Sequence, residues 1–196
     1  MALTKLNNKA VANVTSIPVA LGDMVLVSSA TASSSASIEF SLGSYKEYKF
    51  FFVNIHPSAT AQFEFQTSTN GGSSYGVTAT TTSFRAYHGE NDAYGALEYY
   101  NADLAQSTSF QRLAYIDPAA ADVNGSGYLK LFNPSSTTYV KHFLAVSNFT
   151  YEAGTTTSQE DYYAGYFNTT SALTNIKFQM NSGNIDAGKI LMFGIN

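Results

Sequence analysis

Few residues of this chain are equipped for chemistry, and most stand far apart. The 196 residues carry 14 Asp+Glu, 10 Lys+Arg and three His, with no cysteine. The densest group is His88 with Glu90, Asp92 and Glu98. An imidazole among carboxylates can hold a metal or shuttle a proton. The spacing i, i+2, i+4 is no recognised ligand pattern off a helix, so a solvated polar loop is the plainer reading. Glycan hydrolysis would need two carboxylates roughly 5–10 Å apart across a cleft; Glu90, Asp92 and Glu98 are the only local candidates. Gly183-Asn-Ile-Asp-Ala-Gly188-Lys189 has the spacing of a phosphate loop, but Ile190 stands where Ser or Thr would hold magnesium. A hairpin turn between the last two strands explains it better. Asp122-Val-Asn124-Gly-Ser126-Gly127 resembles half a calcium loop, with Asn133 at the position of the closing glutamate. A glycine-rich turn is the simpler account. No metal, cofactor or catalytic residue is expected, and the chain reads as a non-enzyme.

The best contact surface is aromatic. Tyr87, Tyr94, Tyr99 and Tyr100 crowd one irregular stretch together with Asn91. Tyrosine offers a rigid apolar face and a polar tip, suited to sugars or protein partners. The competing reading is that these rings close one end of the fold.

The elements that must position these residues are strands. Ile38, Phe40 and Leu42 alternate with polar residues, as do Phe63 and Phe65; this is the period of a strand with one wet face. From Tyr45 to Ile55, Tyr48, Phe50 and Phe52 fall on one side and Phe51, Val53 and Ile55 on the other, which predicts a strand buried on both faces. Thr69-Asn-Gly-Gly72 predicts a reversal, with Tyr75–Thr82 as the return strand of a hairpin. Leu97 to Ala105 is read as a short helix. Strands resume over Phe110–Ile116, Tyr128–Phe132, Tyr139–Phe149, Tyr162–Phe167, Leu173–Met180 and Lys189–Ile195. About ten strands with frequent turn signals predict an all-β, antiparallel β-sandwich.

Composition agrees. Ser and Thr number 43, and Tyr and Phe 14 each. The net charge of −4 argues against a nucleic-acid partner, which would call for a basic excess. No apolar run approaches a membrane helix, and Met1–Gly22 lacks the unbroken apolar core of a secretory signal. Residues 1–35 form an N-terminal segment without aromatics, and 36–196 the sandwich. Val11, Val14, Ile17, Val19 and Leu21 would be odd in a free tail. The segment is either a flexible arm that joins the body as one strand, Met24–Val27, or an assembly arm that anchors to a neighbour.

Several stretches together carry a resemblance. They include Tyr45-Lys-Glu-Tyr-Lys-Phe-Phe-Phe-Val-Asn-Ile-His-Pro57, Phe84-Arg-Ala-Tyr-His88 and Leu104-Ala-Gln-Ser-Thr108. Gly127-Tyr-Leu-Lys-Leu-Phe-Asn-Pro-Ser-Ser-Thr-Thr138, Ala164-Gly-Tyr-Phe-Asn-Thr-Thr170 and Gly188-Lys-Ile-Leu-Met-Phe-Gly-Ile195 complete them. Over residues 36–196 the chain resembles virion structural proteins of tailed phages, especially those of marine bacteria and cyanobacteria. Met192-Phe193 departs from the usual Leu-Tyr. The resemblance implies a jelly-roll-like body on the particle exterior, assembled in the host cytoplasm, with other capsid or tail proteins as partners. It carries no catalytic residue. A homotrimer is expected, as a head decoration or head-fibre protein; the alternative is a tail-associated adhesin that meets a host surface glycan.

Overall fold

The computed structural model describes residues 24–117, 122–152 and 156–196. The predicted anchoring residues Val11, Val14, Ile17, Val19 and Leu21 lie outside the described residues. Among those described there are twelve strands and no α-helix, hence no helix long and apolar enough to cross a membrane. They are β1 (Val25–Thr31), β2 (Ser37–Ser41), β3 (Glu47–Pro57), β4 (Ala61–Ser68), β5 (Ala79–Gly89) and β6 (Gly95–Tyr99). The remaining six are β7 (Gln111–Ile116), β8 (Gly125–Phe132), β9 (Lys141–Glu152), β10 (Thr156–Phe167), β11 (Asn175–Met180) and β12 (Ile185–Ile195).

They form two antiparallel sheets packed as a sandwich. The larger has the order β1-β12-β3-β8-β9-β10-β5-β6 and the smaller β2-β11-β4-β7. The pairs β1–β12, β2–β11, β3–β8 and β4–β7 are nested one inside the next. A long antiparallel hairpin rolled over itself gives this nesting, consistent with a jelly roll. Two further hairpins, β5–β6 and β9–β10, are inserted into the roll and widen only the larger sheet. β1 falls within the 1–35 segment and is one of the two edge strands of the larger sheet among the described residues, β6 being the other.

Alternation decides which side chains meet between the layers. Phe178 on β11 is fully buried and packs its ring 5.3–6.3 Å, centroid to centroid, from Phe40, Phe50, Phe52, Phe63 and Phe65. Phe65 meets Phe143 edge-on at 5.1 Å, carrying the core across to β9. Offset and edge-on rings are the favoured arrangements for so many aromatics in one volume.

Four expectations need correction. β3 is buried on one face: Tyr48, Phe50 and Phe52 point inward, whereas Phe51 is half-buried and Val53 exposed. Ile55 reaches the core because the register slips after Phe52, where Asn54 takes φ 51°. A bulge flips the parity of the residues beyond it, so alternation could not be read straight through. The segment after Asn70-Gly-Gly is not a hairpin return. β4 lies in the smaller sheet and β5 in the larger, so this segment crosses between layers, with the Tyr75 hydroxyl donating to Glu39 Oε2 at 2.8 Å. Gly183–Lys189 is likewise not a hairpin turn: residues 181–184 pass from the smaller sheet to the larger, and the rest runs on as the start of β12. It ends in a bulge at Gly188 (φ 117°), where a Cβ would lie 2.6 Å from the Asn54 carbonyl oxygen. Finally, Leu97–Ala105 is not helical. Its start belongs to strand β6, which pairs with β5, and the rest runs on along β5 through Thr81–Leu104 and Ala79–Ser107 backbone bonds.

The outer face of the larger sheet carries an apolar patch over β9, β10, β5 and β6. Phe84 and Tyr162 stack at 4.4 Å, and beside them stand Leu97 and Tyr99, 72% and 61% exposed, with Leu144 and Val146. A shallow groove of about 460 Å³ continues over Leu144, His142, Ala164, Tyr166 and Phe132.

Candidate aromatic and arginine cleft

The unequal widths of the sheets make the site. β7 closes the smaller sheet and packs over β9, so the inner faces of β10, β5 and β6 project beyond it. Residues on that overhang keep the inward parity of core residues yet are polar or aromatic. On β5 they are Ser83, Arg85 and Tyr87; on β10, Thr157, Gln159, Asp161 and Tyr163.

Strand pairing lines up the charges. Arg85 lies between Glu98 on β6 and Asp161 on β10. Its Nε and Nη2 both donate to Glu98 Oε1, at 2.8 and 2.6 Å. Arg112 reaches across from β7, where the pairing with β4 skips Leu113; this bulge re-aims the arginine. Arg112 Nη2 donates to Asp161 Oδ2 at 3.2 Å and Nε to the Tyr163 hydroxyl at 3.0 Å. The Tyr163 hydroxyl donates in turn to Asp161 Oδ2 at 2.9 Å, and Gln159 Nε2 donates to Oδ1 at 2.7 Å. Asp161 is 0% exposed and the Arg112 side chain 11%. Burial pushes the Asp161 carboxyl above its ordinary value; the bonds from Gln159, Arg112 and Tyr163 offset this only in part. Burial also pushes the Tyr163 hydroxyl well up.

Tyr100 joins the two arginines. The guanidinium carbons of Arg85 and Arg112 lie over its ring, 4.1 and 4.2 Å from the centroid. Its backbone N–H donates to the Ser83 carbonyl, and the Ser83 hydroxyl donates to the Tyr100 carbonyl. Around this centre two concave lobes open. One, of about 330 Å³, is lined by Gln62, Arg85, Tyr100, Arg112, Tyr115, Tyr151 and Gln159. The other, of about 300 Å³, is lined by Arg85, Tyr87, Tyr94, Tyr151, Thr157 and Gln159. The shared wall is Arg85, Tyr151 and Gln159. Tyr94 is held by a 2.7 Å bond between its hydroxyl and Thr157 Oγ1, and its ring rests on Gly89, where a Cβ would come within 2.9 Å.

Of the sequence-predicted contact residues, Tyr87, Tyr94 and Tyr100 converge here. Tyr99 does not: it takes the opposite face of β6, and its hydroxyl donates to Asp103 Oδ2 at 2.5 Å. Asn91 sits in the β5–β6 turn, its Oδ1 accepting from the Ala93 N–H at 3.0 Å. Arg85, Arg112, Gln159, Asp161, Tyr115 and Tyr151 were not anticipated. The available signal was polar residues at the inward parity of strands, Gln159-x-Asp161 above all.

The carboxylates weighed for catalysis are dispersed. Glu98 serves Arg85, and Asp92 Oδ1 in the exposed β5–β6 turn pairs with His88 Nε2 at the end of β5, at 3.1 Å. Among the described residues no three His, Cys, Asp or Glu side chains gather as a metal site would need. Asp122-Val-Asn124 forms a turn in which Asn124 Nδ2 donates to the Asp122 carbonyl at 2.9 Å. Comparison with known protein families and with curated proteins gives no match to this chain.

Proposed function

We propose that this chain is a non-enzymatic structural protein of the exterior of a tailed-phage virion, a head decoration or head-fibre protein attached through its N-terminal arm. The observation that carries the reading is the open apolar face formed by Phe84, Leu97, Tyr99, Leu144 and Tyr162. A contiguous apolar surface of this kind marks a contact with another protein. The resemblance over residues 36–196 supplies the kind of assembly; it implies a jelly-roll-like body, with which the antiparallel sandwich is consistent. The partners are then other virion proteins and further copies of this chain, as a homotrimer. Imaging of intact particles with a labelled antibody tests the location, and adding purified protein to particles that lack it tests the anchor. Deletion of residues 1–22 is expected to abolish attachment while the body stays folded; decoration by the truncated protein would refute the anchoring role.

A second reading, a receptor-contact role on the tail, is favoured by the tyrosine-lined cleft. Purified protein that slows adsorption of phage to cells would support it.

A further inference from the structure

We infer that the cleft under the β10–β5–β6 overhang binds an uncharged oligosaccharide. Three properties lead there. The first is shape and lining: two adjoining lobes, each at the small end of ligand-pocket sizes (roughly 300–1,000 Å³), are walled by tyrosine rings interleaved with Arg, Gln and Thr side chains. A pyranose presents an apolar C–H face to such rings and a rim of hydroxyls to planar polar groups. The second is donor supply. A guanidinium has five N–H donors, and Arg85 and Arg112 each commit two of their nitrogens to internal partners. The Gln62 and Gln159 amides add to this wall. The third is charge. Each arginine is neutralised within the protein, Arg85 by Glu98 and Arg112 by the buried Asp161, so the cleft has no net charge to offer an anionic ligand. Both guanidiniums are also fixed over Tyr100. A uronate or sulfate would find no unneutralised cation there and would compete with Glu98 or Asp161 for the guanidinium it met.

The ends of the cleft differ. Tyr87 and Tyr94 stand at the exposed β5–β6 tip with rings 6.2 Å apart, and Tyr115 and Tyr151 lie nearer the core at 5.4 Å. A ligand of two or more sugar units would enter at the tip and run toward β7. This assignment deepens the receptor-contact reading and rests on it only for where the ligand comes from.

The test is a printed array of neutral hexose and N-acetylhexosamine oligosaccharides beside uronate-bearing and sulfated ones, probed with the full chain and followed by titration. A proline-rich peptide serves as the competing probe. Binding to neutral members is expected, weakened about tenfold by Tyr87→Ala or Tyr94→Ala, largely kept by Tyr87→Phe, and unchanged by Tyr99→Ala on the opposite face. Thermal melts confirm that each variant is folded. Absence of binding to every neutral member, preference for the anionic ones, binding of the peptide alone, or an equal loss with Tyr99→Ala would each overturn the inference. Neutral-glycan binding by a protein that particle imaging fails to find on virions would sustain the inference and refute the virion reading.

Discussion

Replacing Arg112 by leucine removes the cation from a carboxylate with no access to water. Two charge-assisted hydrogen bonds go with it, each worth about 1.5–3 kcal/mol, as does the contact with Tyr100, worth about 0.5–1 kcal/mol. The loss is bounded because Asp161 can take up a proton. Protonating a carboxyl of ordinary pKa 3.8 at pH 7 costs about 4.4 kcal/mol. Gln159 and Tyr163 still donate to Asp161, so the net destabilisation is expected near 3 kcal/mol, within the range for breaking a buried ion pair. In a chain of this size that lowers the melting temperature by about 6–12 °C. The pH dependence gives the second reading. Without Arg112 the folded-state pKa of Asp161 rises further above its unfolded value. The folded state then binds more protons than the unfolded one between those two values, and stability increases as pH falls through that window. Urea unfolding at pH 7 and pH 5 is therefore expected to show a smaller deficit for Arg112→Leu at the lower pH. The double variant Arg112→Leu/Asp161→Asn should recover much of the loss at pH 7. A single variant within about 0.5 kcal/mol of the parent, or a deficit that ignores pH, would refute the buried-pair account.

Further outcomes can be checked by equilibrium unfolding. Phe178→Ala empties the centre of the aromatic core and should cost about 3–5 kcal/mol. Gly188→Ala meets the Asn54 carbonyl at φ 117° and should cost about 2 kcal/mol or more. Gly71→Ala, at φ 73° in open space, should cost only about 1 kcal/mol. Burial alone would raise the Glu39 carboxyl, but bonds to Lys177 and Tyr75 outweigh it and hold the group below its ordinary value. Its contribution is present above the unfolded pKa and lost as pH falls through the lower folded one; Glu39→Gln should flatten that part of the stability curve between about pH 5 and 3.

Strands were legible because alternation is local. Which sheet each joins was not, because β1 pairs with β12 and β2 with β11 across most of the chain. The same divide runs through the cleft. Tyr87, Tyr94 and Tyr100 cluster in sequence and were visible. Arg112 and Asp161 come from strands brought together only by the rolled topology, and the Leu113 bulge hides the parity of Arg112. Tyr99 was separable from Tyr100 in principle, since neighbours on a strand face opposite ways. The helix expected at Leu97 concealed that.

The overhang has a consequence for motion. β3 and β8 are sealed between neighbours and roofed by aromatic rings, whereas β6 has every residue exposed and, among the described strands, borders β5 alone. Backbone amides should therefore trade hydrogen for deuterium in a gradient, fastest at β6 and slowest at β3. The blade can breathe while the roll beneath stays shut. The tip can then adjust to what it meets at little cost to the body.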